Sequence, residues 1–142
     1  MNMIFRVIRM NKILVLSLFV MSLTGCVSPT ADMLNNNYTS IVPSDNFLKG
    51  YWTGNNGPYL VTYKFNGDGT GLACSSYLDK NTLEKIKING GVIYTQNGLK
   101  QTIVKSTEED LILNVKYMGS TTFKYKPDTD LNNASPYCEK NL

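Results

Sequence analysis

The chain has 142 residues, with 14 lysines and arginines against 11 aspartates and glutamates, a formal charge of +3 and no histidine. The missing histidine excludes a Ser-His-Asp triad, a Cys-His dyad and any His-ligated zinc. The acids are scattered, with only Glu108-Glu109-Asp110 adjacent, in a polar stretch that reads as a solvated turn. No base and nucleophile can be assembled, so the expectation is a non-enzyme without cofactor or metal, and the length suits one domain with a modest core.

Residues 1–12 carry Arg6, Arg9 and Lys12 and no acid; 13–21, ILVLSLFVM, are almost wholly apolar. A basic start, a short apolar run and small residues after it describe a secretory signal peptide over 1–25. The run is shorter than the roughly 20 residues a membrane-spanning helix needs. Met1 and Met10 both stand as starts. Leu23-Thr24-Gly25-Cys26 resembles the lipobox of bacterial lipoproteins. In that class the cysteine thiol is acylated and the leader is cut before it. The resemblance implies that Cys26 is the lipidated first residue of the mature chain, since two or more acyl chains anchor stably where one does not. Val27, where sorting to the inner membrane uses Asp, implies the outer membrane, on its periplasmic face.

Losing the leader removes three basic residues, and the balance falls to 11 against 11. Nothing then suggests a nucleic-acid partner; Lys85-Ile86-Lys87 reads as the alternating face of a strand. With Cys26 given to lipid, Cys74 and Cys138 remain, and in an oxidising compartment they are expected to pair. A reactive or metal-binding pair is the rival reading, with no C-x-x-C spacing to support it.

Residues 26–46 read as the lipidated cysteine and a polar tether with Pro29, Pro43 and an asparagine run, flexible at first, with Ile41-Val42 reaching the domain. From 47 to 142 the pattern predicts a β domain. YLVTYKF (59–65) puts Tyr59, Val61, Tyr63 and Phe65 on one face; LILNVKYM (111–118) does so with Leu111, Leu113, Val115 and Tyr117; TTFKYK (121–126) sets Phe123 and Tyr125 against Lys124 and Lys126. These are half-buried strands. Asn66-Gly67-Asp68-Gly69, Asn89-Gly90-Gly91, Asn97-Gly98 and Gly119-Ser120 supply hairpin turns. The expected strands are 50–54, 58–66, 69–76, 83–88, 91–96, 99–105, 110–118 and 121–126. Residues 77–84 leave room for a helical turn, and 127–142 read as an irregular tail pinned by Cys138. About eight short antiparallel strands must deal with their edges, and closing into an up-and-down barrel does so.

Gly50-x-Trp52 in FLKGYWTG resembles the G-x-W of lipocalins, and YKFNGDGTGLAC (63–74) resembles the second hairpin of small secreted lipocalin-like domains. The same G-x-W opens avidin-like and small protease-inhibitor barrels. The lipocalin resemblance implies that Trp52 closes one end of the barrel over a basic residue near the last strand, Lys124 or Lys126. The chain as a whole is similar to small outer-membrane lipoproteins of Gram-negative bacteria.

Two functions follow as expectations. One is a structural or interaction module, its barrel filled and its tyrosine, lysine and asparagine surface, or a sheet edge, docking an envelope protein. The other is a binder of a small apolar ligand among Trp52, Tyr59, Val61, Tyr63, Leu113, Val115 and Tyr117, with Gln96 and Gln101 as polar groups. An inhibitor of an exported enzyme is a third. Inner volume separates the first two.

Overall fold

The computed structural model describes residues 29–44 and 48–142. The leader, Cys26 and residues 45–47 lie outside the described residues. A short helix α1 (Pro29–Leu34) and a single 3-10 turn (Tyr38–Ser40) precede eight strands. These are β1 (Lys49–Asn56), β2 (Tyr59–Asn66), β3 (Thr70–Tyr77), β4 (Lys80–Asn89), β5 (Val92–Thr95), β6 (Lys100–Ser106), β7 (Leu111–Val115) and β8 (Thr121–Pro127). Two one-turn helices, α2 (Tyr117–Ser120) and α3 (Pro136–Asn141), complete the chain. Each strand pairs with its neighbour in sequence and β8 returns to β1, closing an antiparallel up-and-down barrel. Closure satisfies the ladder of both outer strands, which removes the sheet edge expected for a partner strand.

The period of two does what the sequence implies. Val61, Tyr63 and Phe65 point inward from β2, Ile86 and Ile88 from β4, Leu111 and Leu113 from β7, and Tyr125 from β8, all buried. With Leu48, Trp52, Ala73 and Ile93 they form one core, and Ile103 and Phe123 pack against it. Every strand therefore contributes to a single apolar column. Each large side chain fully removed from water contributes roughly 1.5–3 kcal/mol.

Three local expectations are corrected. Residues 77–84 hold no helical turn: β3 and β4 are joined by Leu78-Asp79 alone, with Leu78 at φ 53°. β7 ends at Val115 and Tyr117 enters α2, though its side chain is buried. The tail contains α3, capped by Ser135, whose hydroxyl accepts from the Cys138 amide.

The barrel has two different ends. The turns β1–β2, β3–β4, β5–β6 and β7–β8 form one, here the mouth. The turns β2–β3, β4–β5 and β6–β7 form the other, the base, where the chain enters at Leu48 and leaves at Pro127. At the base, Gly67 and Gly69 take φ of 88° and 78° in the β2–β3 turn, and Asp68 accepts from the Thr70 amide and hydroxyl.

Two segments clasp the outer wall. The first, 36–44, runs toward the base along the second half of β4, from the level of Lys85 to Asn89. The Asn36 side-chain amide donates to the Gln96 carbonyl in the β5–β6 turn, Lys87 donates to the carbonyls of Tyr38, Thr39 and Ile41, and the Ser44 amide donates to the Ile88 carbonyl. The Tyr38 ring lies 4.7 Å from the Lys87 ammonium. So the contact expected at Ile41-Val42 is made by main-chain carbonyls. The second is the tail. Asp128, buried, accepts from the Thr53 hydroxyl and from the Asn133 amide and side chain. Cys138 is bonded to Cys74 on the outer face of β3, as the cysteine count implied. The terminal Leu142 oxygen accepts from Lys64 and Tyr51.

Lys124 and Lys126 alternate with Tyr125 and so point outward. Both bind Asp110, at 2.9 and 2.7 Å, rather than packing under Trp52, whose indole donates to the Lys49 carbonyl. The residue expected as a solvated acid is thus the centre of an ion-pair cluster. The hydrogen bond from Lys126, then that from Lys124, holds the Asp110 carboxyl down to about 2. A depressed carboxyl stabilises the fold above its unfolded value near 4, and that contribution is lost as pH falls from about 4 through 2. Asp110→Asn should therefore lower the melting temperature at pH 7, with the gap to wild type closing below pH 3. A gap that persists unchanged at pH 2 would contradict the assignment.

Candidate functional site

The lumen is layered from base to mouth. At the base Leu48, Trp52, Phe65, Ile88 and Leu111 form an apolar floor. Above it the Tyr63 ring stacks on Phe65 at 5.5 Å and meets Tyr125 edge-on at 5.1 Å, so aromatic rings fill the centre. The next layer is polar. The Tyr63 hydroxyl donates to Gln101 Oε1 at 2.5 Å, and Gln101 is itself buried. Glu84 pairs in register with Ala73, which pairs with Tyr63, so the carboxyl shares the inner face. Burial raises the Glu84 carboxyl above its ordinary value. Burial also pushes the Tyr63 phenol up to about 12, and drives the Tyr125 phenol higher still. These phenols stay neutral donors. The Tyr125 hydroxyl is buried without a hydrogen bond of good geometry, although Tyr63 and Asn56 stand beside it. Closer to the mouth, Ser75 and Thr82 bond across the strands at 2.7 Å, and at the rim the rings of Tyr59 and Tyr77 meet at 5.3 Å.

Of the residues expected to line a ligand site, those on strands fall on this inner face at different depths, while Tyr117 lies in α2. Trp52, Val61, Tyr63 and Leu113 are buried in the column, Tyr117 is buried beside the mouth, and Tyr59 and Val115 lie toward the rim. Gln101 takes the inward place expected of it. Gln96 does not: it is exposed in the β5–β6 turn, its carbonyl bound by Asn36. Glu84, Thr95 and Asn56 were missed. Glu84 shares parity with Ile86 and Ile88, a signal present in LEKIKI.

Two clefts border this column, the first against Leu48 and Trp52 of the floor and the second against Ile86. One, of about 550 Å³, sits at the base between Leu48–Trp52, the β6–β7 turn and Pro127. The other, of about 450 Å³, lies on the outer wall beside Tyr38, Lys64, Lys85 and Lys87. Neither is lined by Phe65, Ile93, Leu113 or Tyr125. A neutral aromatic layer over an apolar floor, with a carboxyl and amide above it, can hold a polar head at the mouth.

No curated protein and no solved structure matches the chain. The model of the family described as "Bacterial lipocalin LPS transport optimiser YedD" matches residues 35–142, which take in the strap, the barrel and the tail together, and the chain belongs to that family.

Proposed function

We propose that this protein is a non-enzymatic envelope lipoprotein, held in the outer membrane through acylated Cys26, that assists LPS transport as a docking module for an envelope protein. The observation that carries this reading is the lumen: one continuous column of side chains from all eight strands occupies the space in which a lipocalin would hold its cargo. The description of the family supports the link to LPS transport. Among the described residues no helix is long and apolar enough to cross a membrane, so attachment in this reading rests on Cys26.

A second reading, a binder of a small ligand at the mouth, is favoured by one feature. The Tyr125 hydroxyl and the half-buried Glu84 leave hydrogen-bonding capacity above the aromatic layer. The apolar column beneath restricts such a ligand to a short one.

Full-length Cys26→Ser, expressed in cells lacking the wild-type copy, separates the parts. The expected result is loss from the membrane fraction together with slower arrival of new LPS at the cell surface. Unchanged fractionation would sink the anchor. Unchanged LPS arrival in cells without any copy would sink the transport role. Native mass spectrometry of the wild-type protein should give a clean mass; a retained species of a few hundred daltons would move the assignment to the second reading.

A further inference from the structure

We propose that the mouth of the barrel lies against the lipid surface, with Tyr59, Tyr77, Leu78, Met33 and Leu34 seated in the headgroup layer. The proposal rests on the lipid-anchor reading above and adds an orientation and a contact surface.

Two independent observations point the same way. The first is where the chain comes from. Asn36 donates to the Gln96 carbonyl in the β5–β6 turn, level with Lys85 midway along β4, and from there the strap runs toward the base. Ten residues back from Asn36 is Cys26. Six of the intervening residues are in α1, so the tether reaches about 26 Å, three residues extended, one short helix and two more extended. A strand of β1's length rises about as far before tilt. From mid-wall that reach carries Cys26 to the mouth in the direction the chain already takes, whereas the base reaches lipid only with the tether doubled back along the strap.

The second observation is what the rim presents. Leu78 is 84 % exposed at the tip of the β3–β4 turn, Tyr59 and Tyr77 are 46 % and 39 % exposed beside it, and Leu34 is 82 % exposed in α1. A leucine held out on a two-residue turn at positive φ has no partner within the barrel to explain it. Tyrosine is favoured where an apolar ring meets a polar boundary, and a leucine tip adds burial in the acyl boundary below it. The charges sort in the same sense. Lys80, Lys100 and Lys116 stand at the mouth against Asp79, which suits anionic headgroups. At the base Asp68, Glu108, Glu109 and Asp110 outnumber Lys49, Lys105 and Lys126, so such a surface favours that end less. With this orientation the polar layer of Glu84, Tyr63 and Gln101 opens toward headgroups rather than bulk water.

The test uses the full lipidated protein in vesicles of phosphatidylethanolamine and phosphatidylglycerol, with no other protein present. A nitroxide is placed at Leu78→Cys or, at the base, Glu108→Cys; Cys74 and Cys138 are buried and bonded and do not take the label. Collision with oxygen, which partitions into lipid, is compared with collision with a water-soluble nickel chelate. The oxygen-to-nickel ratio should be at least threefold higher at 78 than at 108. Equal ratios in protein that floats with the vesicles would overturn the orientation while leaving the anchor standing, and would make the rim a protein-docking surface instead. Protein that fails to float, or wild-type protein that takes label at a free Cys26, would overturn both.

Discussion

Breaking the Cys74–Cys138 bridge is expected to cost about 4 kcal/mol while leaving the barrel folded. The magnitude comes from the loop. The two cysteines are 64 residues apart, and in the chain-entropy model a closed loop of that length removes about 4 kcal/mol of denatured-state freedom. The native contacts on either side explain why the fold should survive. Thr53 holds Asp128, and Lys64 and Tyr51 hold the Leu142 oxygen, so the tail keeps polar attachments at both of its ends. The double variant Cys74→Ala, Cys138→Ala should therefore melt about 15 °C lower, with its guanidinium midpoint reduced. Far-UV signal at 25 °C should be unchanged. Amide exchange should rise in residues 128–142 and across the outer faces of β2 and β3, where Thr62 and Cys74 are now sealed from water. An unchanged midpoint would mean that the tail is held by its hydrogen bonds alone.

How much of this was legible beforehand depended on which forces act locally. Strand faces follow from side-chain parity, a property of two adjacent residues, and β2, β7 and β8 could be assigned from it. Parity also outperformed analogy. It set Lys124 and Lys126 opposite Phe123 and Tyr125, hence outward, whereas the lipocalin likeness assigned one of them to Trp52; the ion pairs with Asp110 follow parity. Closure was legible too, because eight strands joined by short turns leave few other ways to remove two edges.

The losses have physical causes. The β3–β4 turn was hidden because Tyr-Leu-Asp-Lys carries none of the glycine or asparagine that positive φ usually selects, yet Leu78 adopts it. The burial of Asp128 depends on Thr53 and Asn133, one of them 75 residues away, and no spacing rule reports such a partner. The polar layer of the lumen was half visible. Gln101 stood out as a polar residue in a mixed strand, but Glu84, between Leu83 and Lys85 in β4, showed only its shared parity with Ile86. Its inward place makes the mouth more polar than a calyx for a purely apolar ligand.

The second large effect concerns how the barrel closes. Only three register pairs join β1 to β8: Trp52 with Pro127, Thr53 with Lys126 and Gly54 with Tyr125. At Gly54 a Cβ would stand 2.3 Å from the Lys124 carbonyl oxygen and 2.9 Å from the Tyr125 ring. The first is main chain and cannot rotate away. The second belongs to a ring already fixed edge-on against Tyr63 at the centre of the core. Overpacking a well-filled site costs roughly 1–3 kcal/mol when side chains can adjust. Here the seam itself must part, so Gly54→Ala should lose at least about 3 kcal/mol. Gly71→Ala supplies the comparison. Its Cβ meets the Lys64 carbonyl at 2.2 Å, but it lies in a six-pair ladder between β2 and β3 that is not the closing seam. Both variants should be destabilised, and only Gly54→Ala should bring fast amide exchange selectively to β1 and β8. Exposed Asn55→Ala, one residue further along β1, should stay within about 0.5 kcal/mol of wild type. If Gly54→Ala matched Asn55→Ala, the close approach of β1 to β8 would not be what holds the barrel shut.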